Sequence, residues 1–276
     1  MSLGLGNSIT SATYLEDDYI DPSSISGLVL WLGFNSGIFA DQNSSGDAVE
    51  HSTGEDNMAS NDRISQCNDK SVNNNQAVQT TSADKPRWDT SGSGKDTGSV
   101  KFASAAKFMD LTSGITLTGD FTIQIRFRAD NFDNSMSFVG NSTTDLFRAA
   151  DATEFRAILG GSGASIFDET SATAMSSGTN TKRQIVTFTR SSGALSVHVN
   201  GGTNSGTFND EQDDVNWAAA AGNTDSDTFT ISNIGSAADD AENFRGWFYD
   251  VLIYDGIAIS DAQRQLNYNY LNSQTI

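Results

Sequence analysis

The chain has 276 residues, and its 35 acidic against 16 basic side chains give a formal charge of −19. This balance excludes a phosphate-backbone binder, whose affinity comes from Lys and Arg displacing counterions, so no nucleic-acid partner is expected. The single cysteine, Cys67, excludes an internal disulfide and a thiolate metal site, and no apolar run approaches the roughly 18 residues that span a membrane.

Residues 1–24 carry Gly, Ser, an acidic stretch (Glu16, Asp17, Asp18, Asp21) and Pro22, without periodicity. They are expected to form an extended N-terminal arm, either frayed or ordering on a partner. In the second case Tyr14, Leu15, Tyr19 and Ile20 are its anchoring side chains. The start, Met1 to Asn7, lacks the basic and apolar regions of a signal peptide, so production in a cytoplasm is expected.

From Ile25 onward the pattern has a period of two. Leu28-Val29-Leu30-Trp31-Leu32-Gly33-Phe34 is a continuous apolar run suited to a buried strand, and Ser99–Phe102 is the next candidate. Phe121–Arg128 alternates, with Phe121, Ile123, Ile125 and Phe127 on one face and Gln124, Arg126 and Arg128 on the other. Ser137–Gly140, Glu154–Leu159, Arg183–Thr189 and Ala194–Val199 continue the series, the last ending at Asn200-Gly201, a favoured hairpin dipeptide. Thr228–Ile231 and Gly246–Tyr254 complete it, with Ser-, Asn-, Gly- and Asp-rich segments as turns. Ser260 and Gln263 have the capping-box spacing, and Ala262, Leu266 and Tyr270 recur every four residues, which predicts a short helix at about 261–271. The fold class expected is all-β. Residues 25–276 form one domain, a two-sheet antiparallel jelly-roll sandwich with one short C-terminal helix.

Three stretches, in order, resemble laminin G-like modules of the concanavalin A-like lectin/glucanase superfamily. The first is Gly27–Phe34. The second runs from Gly98–Phe102 through Phe108–Leu111 to Gly119–Ile123. The third runs from Val186–Arg190 and Leu195–Gly201 to Phe244–Tyr254 and Leu266–Tyr268. A further piece, Ile64–Gln79 followed by Lys85-Pro86-Arg87-Trp88, is similar to a signature common in virion and adhesin proteins of marine tailed bacteriophages. Here Cys67 stands where that signature has tryptophan and Val72 where it has glycine. The resemblance implies a non-enzymatic virion structural protein, most simply a capsid-surface decoration or fibre protein attached through its N-terminal arm. It would be assembled in the bacterial host cytoplasm, on a major capsid or tail protein, and a trimer would suit many decoration sites. The alternative is a tail or receptor-binding component, or a carbohydrate-binding lectin module that adheres to host-surface polysaccharide. The −19 charge fits a marine setting, because seawater salt screens self-repulsion over a few Å.

Glycoside hydrolysis needs two carboxylates flanking the bond, and the clear strands offer no such pair. Asp213-Asp214, Asp225-x-Asp227 and Asp239-Asp240 all read as loop residues, so no enzyme is expected. His198 alternates with Val197 and Val199 and should point off the sheet, while His51 reads as a loop residue beside Glu50. Neither has metal-ligand spacing. Asp41-x-Asn43-x-Ser45-Gly46 copies the first half of an EF-hand loop, but Ser52 stands where a bidentate Glu is required. A non-helical Ca2+ cage from Asp41, Asn43, Asp47 and Glu50 is therefore the one cofactor candidate. For the glycan binding that the resemblance implies, Trp217 is the candidate platform, with Asp213, Asp214 and Asn216 alongside. It either packs under its own loop or offers its face to a sugar. Trp31, Trp88 and Trp247 sit in strand-like runs and read as core.

Overall fold

The computed structural model describes residues 19–42, 47–51, 61–89, 99–102, 107–130, 136–142, 145–149, 154–158, 164–168, 183–192, 194–201, 210–216, 228–236 and 243–273. Its strands are, in chain order, β1 (Leu28–Gly33), β2 (Ile38–Gln42), β3 (Asp47–His51), β4 (Arg63–Cys67), β5 (Ala77–Val78), β6 (Arg87–Asp89), β7 (Ser99–Phe102), β8 (Met109–Thr118) and β9 (Phe121–Ala129). They continue with β10 (Met136–Ser142), β11 (Asp145–Ala149), β12 (Glu154–Ile158), β13 (Ala164–Asp168), β14 (Gln184–Ser191), β15 (Ala194–Gly201), β16 (Asp210–Asn216), β17 (Thr228–Ile234) and β18 (Gly246–Asp255). The helix α1 (Asp261–Ser273) comes last.

Antiparallel pairing sorts these strands into two layers. The first runs β1-β18-β9-β14-β15-β16. The second runs β3-β2-β4-β5-β8-β17-β10-β11-β12-β13. β7 continues the line of β1 along one edge of β18, and β6 joins β7 to β4, so the layers curl into each other there.

The alternation of β9 explains why the layers close. Phe121, Ile123, Ile125 and Phe127 are fully buried between them, beside Val186 and Phe188 of β14 and Val251 and Ile253 of β18. The rings meet across the gap: Phe147 of β11 stacks on Phe188 at 4.4 Å, and Phe127 lies edge-on to Phe138 of β10 at 4.9 Å. β18 begins at Gly246, whose φ is +147°, and a Cβ there would stand 2.0 Å from the Arg128 carbonyl oxygen. Only glycine lets β18 and β9 approach so closely.

Two expectations change with pairing. Asn200 and Gly201 do not turn the hairpin. They extend β15, opposite Ile185 and Gln184 of β14, and Asn200 also faces Asp210 of β16. Asp213-Asp214 is not a loop either but lies in β16, opposite Val197 and Ser196. Ladder hydrogen bonds to β15 override the poor strand propensity of Asp and Asn. Among the described residues β16 pairs with β15 alone, and charge suits such an edge because it resists pairing with a second chain. His51 likewise ends β3 opposite Ile38 instead of lying in a loop.

The helix starts where expected and packs on a different face. Gln263 donates its backbone N–H to Ser260 Oγ at 3.3 Å, and Gln263 Oε1 accepts from the Ser260 N–H at 3.0 Å, a reciprocal capping box. Ala262 is exposed and Leu266 and Tyr270 are half-buried, so the apolar row read from the sequence is not the seat. The buried residues are Arg264, Asn267, Tyr268 and Leu271. This row is mixed because the sheet beneath it is mixed.

Candidate functional site

The polar face of β9 should, by alternation, meet water. Its residues do face away from the core, yet Gln124 and Arg126 are fully buried and Arg128 is 5% exposed. The cover is α1. Arg126 Nη2 pairs with Asp250 Oδ2 at 2.6 Å, and Trp31 Nε1 donates to Asp250 Oδ1 at 3.2 Å. Arg126 Nη1 also donates to the Leu271 carbonyl. The last turn of α1 has no basic residue of its own, so this guanidinium supplies the positive charge its C-terminus lacks. Asn267 donates to Gln124 Oε1 at 3.2 Å and to Tyr254 Oη at 2.9 Å. Burial lowers the Arg126 pKa from its ordinary value and raises those of Tyr254 and Tyr268, the last to about 12. The Asp250 charge works against the loss at Arg126, and the Asn267 hydrogen bond against the rise at Tyr254. This network fastens the helix.

His198 shares this outward side, opposite Thr187, and is 5% exposed, so it points off the core face as alternation requires but not into solvent. Trp247 also lies outside the core cluster. It is clamped by Arg128 at 3.7 Å and Lys101 at 4.1 Å over its ring, with its Nε1 donating to Asp89 at 2.8 Å. Trp88 is the tryptophan that sits in the main core.

At one rim of the helix-covered face the packing opens into an aromatic row. Tyr19 lies 6.0 Å from Tyr270, and Tyr270 lies 6.1 Å from Trp31, edge-on. Lys70 stands 5.4 Å from the centre of the Trp31 ring. Trp31 is buried and Tyr270 half-buried, while Tyr19 is 48% exposed. Val72 is the other exposed large apolar side chain among the described residues. Asp21 borders the row. Its Oδ1 accepts from the Ser23 backbone at 2.8 Å and hydroxyl at 2.7 Å, and its Oδ2 accepts from Tyr270 Oη at 3.2 Å. Partial burial alone would raise the Asp21 pKa, but these three donors outweigh it and hold the carboxyl below its ordinary value. The same contacts push the Tyr270 phenol up, burial first and the Asp21 charge next.

The loop after β4 supports this rim. Asp69, 8% exposed, accepts from the N–H groups of Trp31 (2.9 Å), Ser71 (2.8 Å) and Asn75 (2.9 Å) and from Ser71 Oγ at 2.7 Å. Within the phage-like signature, which also includes parts of β4, β5 and β6, residues 69–75 are thus a turn tied to β1 through one carboxylate. Val72 tolerates the position that the signature gives to glycine because the left-handed φ falls instead on Asn74, at +54°. Cys67 fills core space where the signature has tryptophan, and burial pushes its thiol up to about 12.

The outer face of the second layer is uncovered along β8 and β17. Thr116 opposes Thr230 and Thr118 opposes Thr228, and Asn233 Nδ2 donates to Asp110 Oδ1 at 2.5 Å. Partial burial raises the Asp110 pKa, against the pull of that hydrogen bond. Among its described residues this strip has hydroxyls and amides, and the one ring of β17, Phe229, is fully buried in the core.

The residues chosen from sequence are distributed as follows. Tyr14, Leu15, Asn43 and Trp217 lie outside the described residues, as do Asp225, Asp227, Asp239 and Asp240. Asp41 pairs with Ala48, Asp47 with Gln42 and Glu50 with Phe39 in the β2–β3 ladder, and only their backbone is described. The same holds for Asp213, Asp214 and Asn216 in β16. Among the described residues no group of three His, Cys, Asp or Glu could hold a metal ion. Ile20, assigned to the arm, packs on the second apolar cluster and donates its N–H to the Leu266 carbonyl at 3.4 Å. Its apolar surface is therefore engaged by this domain. Tyr19 is one of the expected anchors, but its contact with Tyr270, at the other end of the chain, has no sequence signal.

No family model matches this sequence, and neither does any curated protein. Solved structures do match in fold. A GH54 α-L-arabinofuranosidase soaked with a cyclic sulfate inhibitor superposes with a TM-score of 0.61 at 13% identity, over 90% of this chain and 63% of that one. A variant of a GH54 α-L-arabinofuranosidase soaked with 4-nitrophenyl α-L-arabinofuranoside gives 0.62 at 12% identity, again over 90% and 63%. An arabinofuranosidase complexed with arabinofuranosyl-α-1,2-xylobiose gives 0.53 at 14% identity, over 92% and 61%. The chain thus spans under two thirds of each of those proteins, and the likeness establishes the β-sandwich fold.

Proposed function

We propose that this chain is a non-enzymatic, lectin-like carbohydrate-binding module and that the Tyr19–Tyr270 row is its sugar platform. The observation that carries this reading is a tyrosine ring left 48% exposed beside a second tyrosine, with an ionised carboxylate at its edge. Sugar rings present C–H faces to aromatic rings and hydroxyls to acceptors around them, and this rim supplies both. The sandwich fold shared with arabinofuranosidases supports the class of ligand, as does the laminin G-like resemblance. The test is a glycan array with the full chain and Tyr19→Ala. Binding of at least one glycan family is expected, with a loss of tenfold or more in the variant. Equal binding by both proteins would remove the platform. Trp217, just beyond β16, is the second candidate and is tested in parallel as Trp217→Ala.

The setting we propose is a tailed-phage particle, with the stretch ahead of Tyr19 as the attachment arm and a capsid or tail protein as the partner. It rests on the likeness of residues 64–79 and 85–88 to marine phage virion proteins. Quantitative mass spectrometry of purified particles is expected to find tens to hundreds of copies, the number a decoration protein needs. A few copies would move the protein to the tail, and none would end the virion reading.

A further inference from the structure

Resting on that platform reading, we propose that its ligand is a neutral oligosaccharide laid over two adjoining ring positions, and that Asp21 selects it against acidic sugars. The two tyrosine centroids are 6.0 Å apart and tilted by 52°, so a single sugar ring cannot lie flat on both. A chain of linked rings can, each on its own tyrosine. Asp21 Oδ2 is fixed at the edge of the second position by Tyr270 Oη, 3.2 Å away. An ionised carboxylate only accepts hydrogen bonds. It can take the hydroxyl donors of a neutral ring stacked there, and it repels the carboxylate or sulfate of an acidic one.

The neighbouring charges leave that preference intact. Among the described residues the cation packed on this row is Lys70, and it lies against Trp31, 5.4 Å from the centre of that ring, and 3.5 Å from Asn35 Oδ1. The Asp250 carboxylate beneath Trp31 is paired with Arg126 at 2.6 Å. The −19 charge of the whole chain adds a field of the same sign as Asp21. Among the described residues no cation stacks on Tyr19 or Tyr270 to compensate a second negative charge there, whereas hydroxyls have a fixed acceptor.

The experiment uses the full chain on an array of matched pairs, each neutral oligosaccharide printed beside its uronic or sialylated twin, at low and high salt. Asp21→Asn is the diagnostic variant, because an asparagine keeps the oxygen that caps the turn at Pro22–Ser24 while it removes the charge and puts an NH2 donor where Oδ2 accepts from Tyr270 Oη. Unchanged thermal melting verifies that it folds. The wild type is expected to bind neutral members at least tenfold more tightly than their acidic twins, with the gap narrowing at high salt. Asp21→Asn is expected to narrow it severalfold at low salt, and Tyr19→Ala to abolish binding of both. Acidic twins bound as well as neutral ones, through Tyr19, would overturn the selectivity and leave the platform standing. A gap unaltered by Asp21→Asn would overturn the role of Asp21. Binding unaffected by Tyr19→Ala, or no binding to any glycan, would overturn the platform and this inference with it.

Discussion

Asp250→Ala is expected to destabilise the domain by about 3–5 kcal/mol, because it leaves the Arg126 guanidinium buried without its counter-charge. Arg126 is fully buried and Asp250 is 3% exposed, so water cannot replace the lost partner. The damage spreads in two directions. Trp31 loses the acceptor for its indole N–H, and Arg126 is freed from the geometry that holds it against the Leu271 carbonyl at the end of α1. A loss on this scale is a large share of the roughly 5–15 kcal/mol that holds an ordinary domain together. Urea titration followed by tryptophan fluorescence measures it. The companion variant carrying both Arg126→Met and Asp250→Leu is expected to recover most of the loss, since an apolar pair of similar volume needs no counter-charge. If Asp250→Ala costs less than about 1 kcal/mol, the network is not what fastens the helix.

Phe248→Ala is expected to cost a comparable 3–5 kcal/mol by a different route, the removal of a fully buried ring from a close-packed aromatic cluster. Phe248 stacks on Phe244 at 4.0 Å, meets Phe102 edge-on at 5.0 Å and lies 6.0 Å from Phe34. These contacts join β18, β7 and β1 at the curl where the two layers merge, and little there can collapse into the gap. Phe248→Leu retains most of the volume and is expected to lose clearly less. Equal losses for the two variants, in the same urea titration, would mean that the cavity is not the source of the cost.

The strands that could be read from sequence were those with alternation or apolar runs: β1, β7, β9, β10, β12, β14, β15, β17 and β18. These are largely the ones that carry the core. β2 to β6, β8, β11, β13 and β16 escaped notice because they are short, polar or acidic. Their strand character comes from a neighbour's ladder, as Asp213 and Asp214 show by pairing with Val197 and Ser196. The helix was legible from its cap, which is a local device, but its seat was not. An apolar row at Ala262, Leu266 and Tyr270 looked like the buried side, and the polar face of β9 reversed that choice by presenting Gln124 and Arg126 to Asn267 and the helix end.

The candidate platform divides in the same manner. Tyr19 and Tyr270 are each visible as aromatic residues in polar segments, and neither segment names the other. They meet because residues 19–21 run across α1, with the Tyr254 hydroxyl donating to the Pro22 carbonyl at 3.4 Å. By itself the sequence determined the class of fold, the core-forming strands, the helix start and the acidic field, since these depend on local periodicity, capping and composition. Only the tertiary structure decided which polar residues are buried as mutual partners and which aromatic ring stays open. Those outcomes depend on what lies across the sheet, and a residue's own neighbours in the chain do not carry that information.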